Sequence, residues 1–171
     1  SQPTLYTTIY VVSQQGDIRS SRLAMSRARV APKSTKVSIP RLELMGALLG
    51  LRLVKKVSKM LEIPMTEVFF WSDSVNVLCW IRNDVGRFQS FVAHRVSEIR
   101  EETEPSQWQH ISGTSNPADL PTRGMSLSDM TKSQMWWEGP SFLCETEDRW
   151  PERRDFSKES FDKSEDRRTK C

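Results

Sequence analysis

Three acidic residues stand in settings from which one active site could be assembled. Glu43 interrupts an apolar helical run, Asp73 follows an apolar strand, and Asp119 stands at the start of a predicted helix or turn. An isolated carboxylate where burial is otherwise favoured is costly and needs a reason. Carboxylate oxygens are the ligands that Mg²⁺ selects, and such sites leave positions for water and phosphate. The pattern predicts a metal-dependent nuclease.

Each acid also has an explanation that needs no metal. Glu43 could be a buried carboxylate paired with an arginine, or one at the rim, and Asp73 could be the N-cap of the following helix. Asp119 could take the third position of a helix that Asn116 caps and Pro117 opens, next to the positive end of the helix dipole. The signal is the order and context of the three acids together.

The helix that carries Glu43 is predicted to begin near Pro40 and to run to about Leu61, before Pro64. It is apolar almost all round, which is typical of a buried helix. Small residues share the face of Glu43 and predict that the helix packs close to a sheet; they are Gly46, Ala47 and Gly50.

The rest of the chain alternates between strands and helices. A turn signal at residues 14–17 separates two predicted antiparallel strands, at residues 5–13 and 18–30. The pattern then predicts a buried strand at 66–72, helices at 73–82 and 88–102, a strand at 107–112 and a helix or turn from Asn116. An α/β fold with a mixed sheet flanked by helices follows from this order.

Positive charge is concentrated early in the chain. Residues 18–42 contain seven basic side chains and no acidic one. Such a surface attracts polyanions, with an affinity that falls as the salt concentration rises. A solvated face with no binding role is the alternative. The candidate nucleic-acid-binding residues are Arg19, Arg22, Arg27, Arg29, Lys33, Lys36 and Arg41.

The last part of the chain differs in composition. Residues 145–170 hold nine acidic and eight basic side chains, and the only large apolar ones are Trp150, Phe156 and Phe161. Burial of so few apolar groups does not offset the entropy of ordering the segment. We therefore predict one domain over residues 1–143 and a charged, disordered linker over residues 144–171.

Cysteine usage and hydropathy indicate the redox compartment of the protein and whether a membrane or secretory segment is expected. Cys79, Cys144 and Cys171 are an odd number with no close pair and no Cys/His cluster, which indicates a reducing compartment. No apolar run approaches the ~18 residues of a membrane helix, and no signal-peptide pattern is present. The chain begins at Ser1 without Met, which indicates a fragment or a processed product.

In order and spacing, three stretches resemble the ribonuclease H domain. They are residues 41–51 around Glu43, residues 67–74 with Trp-Ser-Asp-Ser at their end, and residues 108–113 leading to Asp119. The chain is similar in particular to the variant of the Bel/Pao group of long-terminal-repeat retrotransposons. Three further stretches carry that likeness: residues 38–44 (Ser-Ile-Pro-Arg-Leu-Glu-Leu), 113–124 (with Asn-Pro-Ala-Asp-Leu-Pro-Thr-Arg-Gly) and 136–140 (Trp-Trp-Glu-Gly-Pro).

The resemblance implies a ribonuclease H-like fold, with a five-stranded mixed sheet between helices, that cuts the RNA strand of an RNA/DNA hybrid. In the family, four carboxylates hold two Mg²⁺ ions, or Mn²⁺ in their place, and Glu43, Asp73 and Asp119 match three of the four. The resemblance also implies adjoining reverse transcriptase and integrase segments of one polyprotein. The expected location is intracellular, in a cytoplasmic virus-like particle or in the nucleus.

Two features depart from the family pattern. The fourth carboxylate of the family belongs to a short Asp-Ala-Ser or Asp-Gly-Ser motif on the first strand, and Ser1 matches its Ser. We therefore expect a truncated first strand and no cleavage by this fragment. Many ribonucleases H also carry a His before the last Asp, whereas residues 113–115 have none. His110 is predicted on a strand, and the roles of His94 and His110 are left unassigned.

Three functions remain open at this stage. The first is a nuclease that is intact within its polyprotein. The second is a noncatalytic ribonuclease H-like module that binds nucleic acid or connects other segments. The third is a nuclease or integrase of the same fold with a different substrate. An Asp two residues upstream of Ser1 would favour the first, and cleavage of hybrid against duplex would separate the third.

Overall fold

The structure, a computed structural model, describes residues 3–31, 37–156 and 163–167. Lys33 and Lys36, two of the predicted nucleic-acid-binding residues, lie outside the described residues. In the described ranges, none of the helices has both the length and the apolar character needed to cross a bilayer. The strands are β1 (Thr4–Gln15), β2 (Ile18–Val30), β3 (Phe70–Ser72) and β4 (Trp108–His110), and the α-helices are α1 (Ile39–Leu61), α2 (Val75–Arg82), α3 (Ser90–Glu102), α4 (Leu127–Lys132) and α5 (Gln134–Glu138).

The chain divides into two compact units. The hairpin unit comprises residues 1–33 and 111–152, and the helical unit comprises residues 34–110 and 153–171. Residues 144–152 fall in the hairpin unit and residues 153–171 in the helical unit, and the domain boundary after residue 143 stays a prediction.

The hairpin unit is built on β1 and β2, which pair antiparallel as the turn signal at residues 14–17 predicted. Gly16 takes a positive φ of 59° in that turn, a conformation that other residues rarely adopt. The pairing has one irregularity: Tyr10 pairs with Leu23 and Ile9 with Met25, so Ala24 is an extra residue on β2. A bulge of this kind moves every later side chain of the strand to the other face.

Tyr10 joins the hairpin to the later part of the same unit. Its hydroxyl donates a hydrogen bond to the carbonyl oxygen of Trp136 at 2.8 Å. Burial raises the pKa of this phenol to about 12, against a weaker opposing effect of a hydrogen bond with Thr8. Gly139 packs against the ring: a Cβ at this glycine would lie 3.2 Å from Tyr10 and 2.8 Å from Leu143. Only glycine fits there without a shift of its neighbours.

The helical unit packs α1, α2 and α3 around the short parallel pair of β3 and β4. The rings of Phe70 and Trp108, which face each other across that pair, are stacked with centroids 4.2 Å apart. The fully buried apolar side chains of this unit include Leu44, Leu51, Val77, Leu78, Trp80, Ile81, Phe88, Val92, Val96 and Ile99. Apart from Phe88, which precedes α3, they come from the three helices, so the core forms where the apolar faces of the helices meet.

The structure is a mixed α/β fold, but the predicted five-stranded sheet is not formed among the described strands. These strands make two two-stranded sheets, β1 with β2 and β3 with β4. Strands β3 and β4 are three residues each, shorter than predicted. Residues 65–67 form a 3₁₀ turn after Pro64, and another 3₁₀ turn begins at Gly113. These turns leave little chain for longer ladders.

Helix α1 has the predicted ends, with Pro40 in its first turn and Leu61 as its last residue. It stops where Glu62 takes a left-handed conformation, with φ 56°. The close packing predicted for the small residues beside Glu43 is wrong at Gly46, because a Cβ built there meets no described atom within 4 Å. For Ala47 and Gly50 the close packing stays a prediction.

Within the helical unit, described residues of the charged segment pack against its helices. Phe156 is only 6% exposed and lies under the guanidinium of Arg82, 4.7 Å from its ring centroid. Glu165 is 4% exposed and bonds Arg41. The amino-acid composition did not predict the burial of Phe156 and Glu165. A single ring and a single carboxylate with specific partners can fix a short stretch of chain without changing the average composition of the segment. The linker assignment for residues 144–171 as a whole stays a prediction.

The packing of Phe156 can be tested by truncation. Phe156→Ala should lower the free energy of unfolding by about 3 kcal/mol, because it removes a buried ring and leaves a cavity. Met60→Ala, a truncation of a largely exposed side chain on α1, is the control and should stay within about 0.5 kcal/mol of the parent. Urea unfolding measures both. Equal stability of the two variants would show that Phe156 does not pack on the helical unit.

Candidate functional site

Glu43 lies in the second turn of α1, between the buried residues Leu42 and Leu44. Its own side chain is half-buried. One carboxylate oxygen, Oε2, accepts a hydrogen bond from the hydroxyl of Ser74 at 2.5 Å. The helix thus brings the Glu43 carboxylate to the beginning of α2, directly beside the position of Asp73.

Ser74 connects the two helices. It is the N-cap of α2, where its hydroxyl oxygen accepts a hydrogen bond from the amide of Val77 at 3.3 Å. The same hydroxyl donates a hydrogen bond to the carboxylate of Glu43, so both its donor and one of its acceptor positions are used. Its own amide donates to the hydroxyl of Ser72 at 3.1 Å. These bonds fix a buried serine between α1, β3 and α2.

Asp73 is exposed and does not cap the helix. The explanation of Asp73 as an N-cap is wrong, because Ser74 takes that position. In the described part of the chain, the Asp73 carboxylate has no hydrogen bond or ion pair with another side chain. Adjacent Cα atoms are about 3.8 Å apart, so Asp73 is close to the serine that holds Glu43. The chain thus places Asp73 next to the residue that binds the Glu43 carboxylate.

His110 belongs to the same edge. The pairing of β3 and β4 is parallel and places Ser72 opposite His110, the last residue of each strand. The strand assignment of His110 is confirmed, and its Nε2 lies 3.3 Å from Nη1 of Arg154. His94 is exposed on α3. The sequence held one sign of this site: two short apolar strands both end in polar residues, and parallel strands end at one edge, where ligands bind.

Asp119 lies in the hairpin unit, in a 3₁₀ turn formed by Pro117–Asp119. Its local explanation is confirmed, because the side chain of Asn116 caps this turn by accepting from the amide of Ala118 at 3.1 Å. Arg123 forms an ion pair with Asp119 at 3.6 Å. Glu43 and Asp73 belong to the helical unit, so the convergence of all three carboxylates stays a prediction.

The sequence predicted that acidic side chains bind a metal ion. Within either unit, the described residues hold no group of three or more His, Cys, Asp or Glu side chains that could bind a metal ion. The helical unit offers the pair Glu43 and Asp73. This donor chemistry fits Mg²⁺, which takes oxygen ligands and is usually held by one or two carboxylates together with substrate phosphates.

The bulge in β2 determines the face of the hairpin on which each arginine lies. Arg29, Arg27 and Arg22 pair with Leu5, Thr7 and Val11, which alternate along one face of β1. All three arginines therefore share a face, although a regular strand would put Arg22 opposite to the other two. They are exposed, and Arg22 also pairs with Glu138 at 2.9 Å.

The two other described basic candidates are engaged differently. Arg19 pairs with Gln14 on the opposite face of the hairpin and donates to the carbonyl oxygen of Glu145 at 2.5 Å. Arg41 lies in the helical unit, where hydrogen bonding to Glu165 raises the pKa of its guanidinium. The predicted basic stretch is thus divided into an arginine face of Arg22, Arg27 and Arg29 and residues with other partners.

Comparison with known families gives one match. Residues 1–74 match the model of a family described as the Pao retrotransposon-like RNaseH-like domain. The matched part includes the hairpin, Glu43 and Asp73, and it ends at Ser74. The resemblance to a Bel/Pao ribonuclease H domain is confirmed over these residues. No curated protein and no solved structure matched the chain.

Replacement of Ser74 tests the connection between the two carboxylate positions. Ser74→Ala should lower the free energy of unfolding by about 2 kcal/mol, because it removes a helix cap and the hydrogen bond to a charged group. Ser126→Ala removes the exposed N-cap of α4 and should cost about 1 kcal/mol or less. Urea unfolding compares them, and an equal effect of the two would contradict an added contribution from the bond to Glu43.

Proposed function

We propose, from the match of residues 1–74 to the Pao retrotransposon-like RNaseH-like family, that this chain is the ribonuclease H domain of a Bel/Pao-type retroelement polyprotein. Its reaction is cleavage of the RNA strand of an RNA/DNA hybrid. In this proposal, reverse transcriptase and integrase segments adjoin it, and it works in a cytoplasmic virus-like particle or in the nucleus.

One observation carries the proposal beyond the family match. The carboxylate of Glu43 accepts a hydrogen bond from the hydroxyl of Ser74, and Asp73, the residue before this serine, is exposed. Both lie at the end of a parallel strand pair, where α/β proteins bind their ligands.

The metal ligands in this proposal are Glu43 and Asp73, with Asp119 as a further ligand. Mg²⁺, or Mn²⁺ in its place, would supply an activated water and stabilisation of the leaving oxygen when two ions are bound. The protein contributes the positioning. Ser74 fixes one oxygen of the Glu43 carboxylate, and the exposed Asp73 is accessible to solvent.

Substrate binding is assigned to the arginine face of the hairpin. Arg22, Arg27 and Arg29 are exposed side chains with no acidic residue on the strand between them. The surface ion pair of Arg22 with Glu138 contributes little, since its arginine is 68% exposed. A phosphate backbone can replace such a partner. Binding through phosphates explains how a hybrid of any sequence could be held.

A noncatalytic ribonuclease H-like module is the second candidate. Asp119 favours it, because this proposed third ligand already has Arg123 as an ion-pair partner within its own unit. A module of this kind would keep the arginine face and bind the hybrid without cutting it. Cleavage and binding therefore need separate tests.

Cleavage is tested in a version with Asp-Ala placed before Ser1, which completes the first-strand motif of the family. This version should cut the RNA strand only with Mg²⁺ or Mn²⁺ present, and Asp73→Asn should slow it at least about a hundredfold, because a metal ligand is lost. Asp17→Asn, the same change in the exposed hairpin turn, is the control and should leave the rate unchanged. Undiminished cleavage by the Asp73 variant would refute the ligand assignment, and no cleavage by the parent would favour the noncatalytic module.

Binding is tested by the salt dependence of hybrid affinity. Each lost phosphate contact reduces the slope of log K against log salt by about 0.9 for a duplex, so the double variant Arg27→Gln/Arg29→Gln should reduce it by roughly 1.8. Arg19→Gln, on the other face of the hairpin, should change it little. Fluorescence anisotropy with a labelled hybrid measures the slopes. A larger effect of Arg19→Gln than of the double variant would place the substrate on the opposite face.

A further inference from the structure

Two arginines of the helical unit share one aromatic ring. The guanidinium carbons of Arg41 and Arg95 lie 4.7 and 3.6 Å from the ring centroid of Phe91. Cations over an aromatic face are stabilised by the ring quadrupole, which helps to keep two positive charges in one place. Among the described carboxylates, none forms an ion pair with Arg95. The three residues make a positive group, the Arg41–Phe91–Arg95 cluster.

Glu165 covers one side of this cluster. Its two carboxylate oxygens accept hydrogen bonds from Nε and Nη2 of Arg41, at 2.6 and 2.9 Å. The Glu165 side chain is 5% exposed and that of Arg41 is 30% exposed. A two-pronged bond of this kind is the geometry with which arginine binds both carboxylate and phosphate. Chemically, the Glu165 carboxylate therefore stands where a phosphate group could bind.

The chain around Glu165 is attached by a short strip of backbone bonds. Residues 163–167, here called the strap, run beside residues 87–89, which precede α3. The amide of Gln89 donates to the carbonyl oxygen of Glu165 at 2.7 Å, and the amide of Arg167 donates to that of Arg87 at 2.8 Å. Asp166 adds an ion pair with Arg87 at 2.7 Å. The strap thus adds the acidic side chains of Glu165 and Asp166, which pair with Arg41 and Arg87, and the basic side chains of Lys163 and Arg167.

The strap is held mainly by polar contacts. Besides the bonds given above, Nε of Arg167 donates to the carbonyl oxygen of Phe88 at 2.7 Å, and Nε2 of Gln89 donates to that of Ser164 at 3.0 Å. Its described part is five residues long, and only Glu165 in it is buried. A segment of the same chain competes with an outside ligand through its effective concentration. A polyanion with several phosphates exceeds such a competitor when it uses other arginines as well.

We propose that the strap is a built-in competitor for nucleic acid, in which Glu165 occupies Arg41 in place of a phosphate of the hybrid. This inference rests on the proposed function, because it names Arg41 as a further contact for the same substrate and the strap as what regulates it. When the hybrid binds, a phosphate displaces the Glu165 carboxylate and the strap leaves residues 87–89. The Arg41–Phe91–Arg95 cluster then becomes part of the substrate surface.

The test is the hybrid affinity of the full chain with Glu165→Gln, which removes the charge and nearly keeps the shape. Freeing Arg41 adds one phosphate contact, so the slope of log K against log salt should steepen by about 0.9. Affinity for the hybrid at low salt should rise as well. Glu101→Gln removes the same charge from an exposed position on α3 and should change neither quantity.

The double variant Arg41→Gln/Glu165→Gln separates the pair from a general effect of charge. Glu165→Gln should have no effect in the Arg41→Gln background, because the cation that it would free is gone. An equal gain in that background, or an equal gain from Glu101→Gln, would overturn the proposal. Circular dichroism confirms that each variant is folded at the assay temperature.

The outcomes also distinguish this inference from the proposed function. If the parent chain binds the hybrid and Glu165→Gln changes neither affinity nor slope, the competition is refuted while hybrid binding stands. If neither protein binds the hybrid at low salt, the substrate proposal fails and the inference fails with it. A gain that depends on Arg41 supports both.

Discussion

The hydroxyl of Ser74 makes the bond on which the helical unit and its candidate site both depend. It accepts from the amide of Val77 and so starts α2, and it donates to Glu43 and so ties α1 to the end of β3. A helix cap alone contributes about 1 kcal/mol, and a hydrogen bond to a charged group adds a comparable amount. Because Ser74 caps the helix, Asp73 is left exposed beside Glu43. One serine thus holds one acid and leaves its neighbour available to solvent.

The hairpin unit illustrates a second constraint, which is the register of β2. Side chains of a strand alternate between faces, and one extra residue reverses the alternation. The bulge at Ala24 therefore puts Arg22 on the face of Arg27 and Arg29. The consequence is electrostatic: three exposed cations act on the same side, where a polyanion can meet all of them. A regular ladder with the same sequence would have split them.

Electrostatics also explains why Glu165 is buried although it lies in the highly charged segment after residue 144. Arg41 and Arg95 lie over one ring, and the close approach of two cations is eased when a carboxylate joins them. Glu165 does so from a buried position, where an unpartnered charge would be strongly unfavourable. Among the described acidic and basic residues of this segment, Glu165 is the one that is buried. A single pair with good geometry can therefore order a few residues within a sequence of low apolar content.

Local sequence patterns determined most elements of this protein: the hairpin and its turn, the proline at the start of α1, the helices around residues 75–82 and 90–102, and the cap at Asn116. These depend on neighbours within a few positions, so the sequence alone contains the relevant forces. The tertiary structure decided what depends on distant partners: the bond from Ser74 to Glu43, the alignment of Ser72 with His110, and the burial of Phe156 and Glu165. Strand pairing and burial bring together residues that are far apart in the chain. The local periodicity of a sequence does not determine which distant residue each side chain contacts.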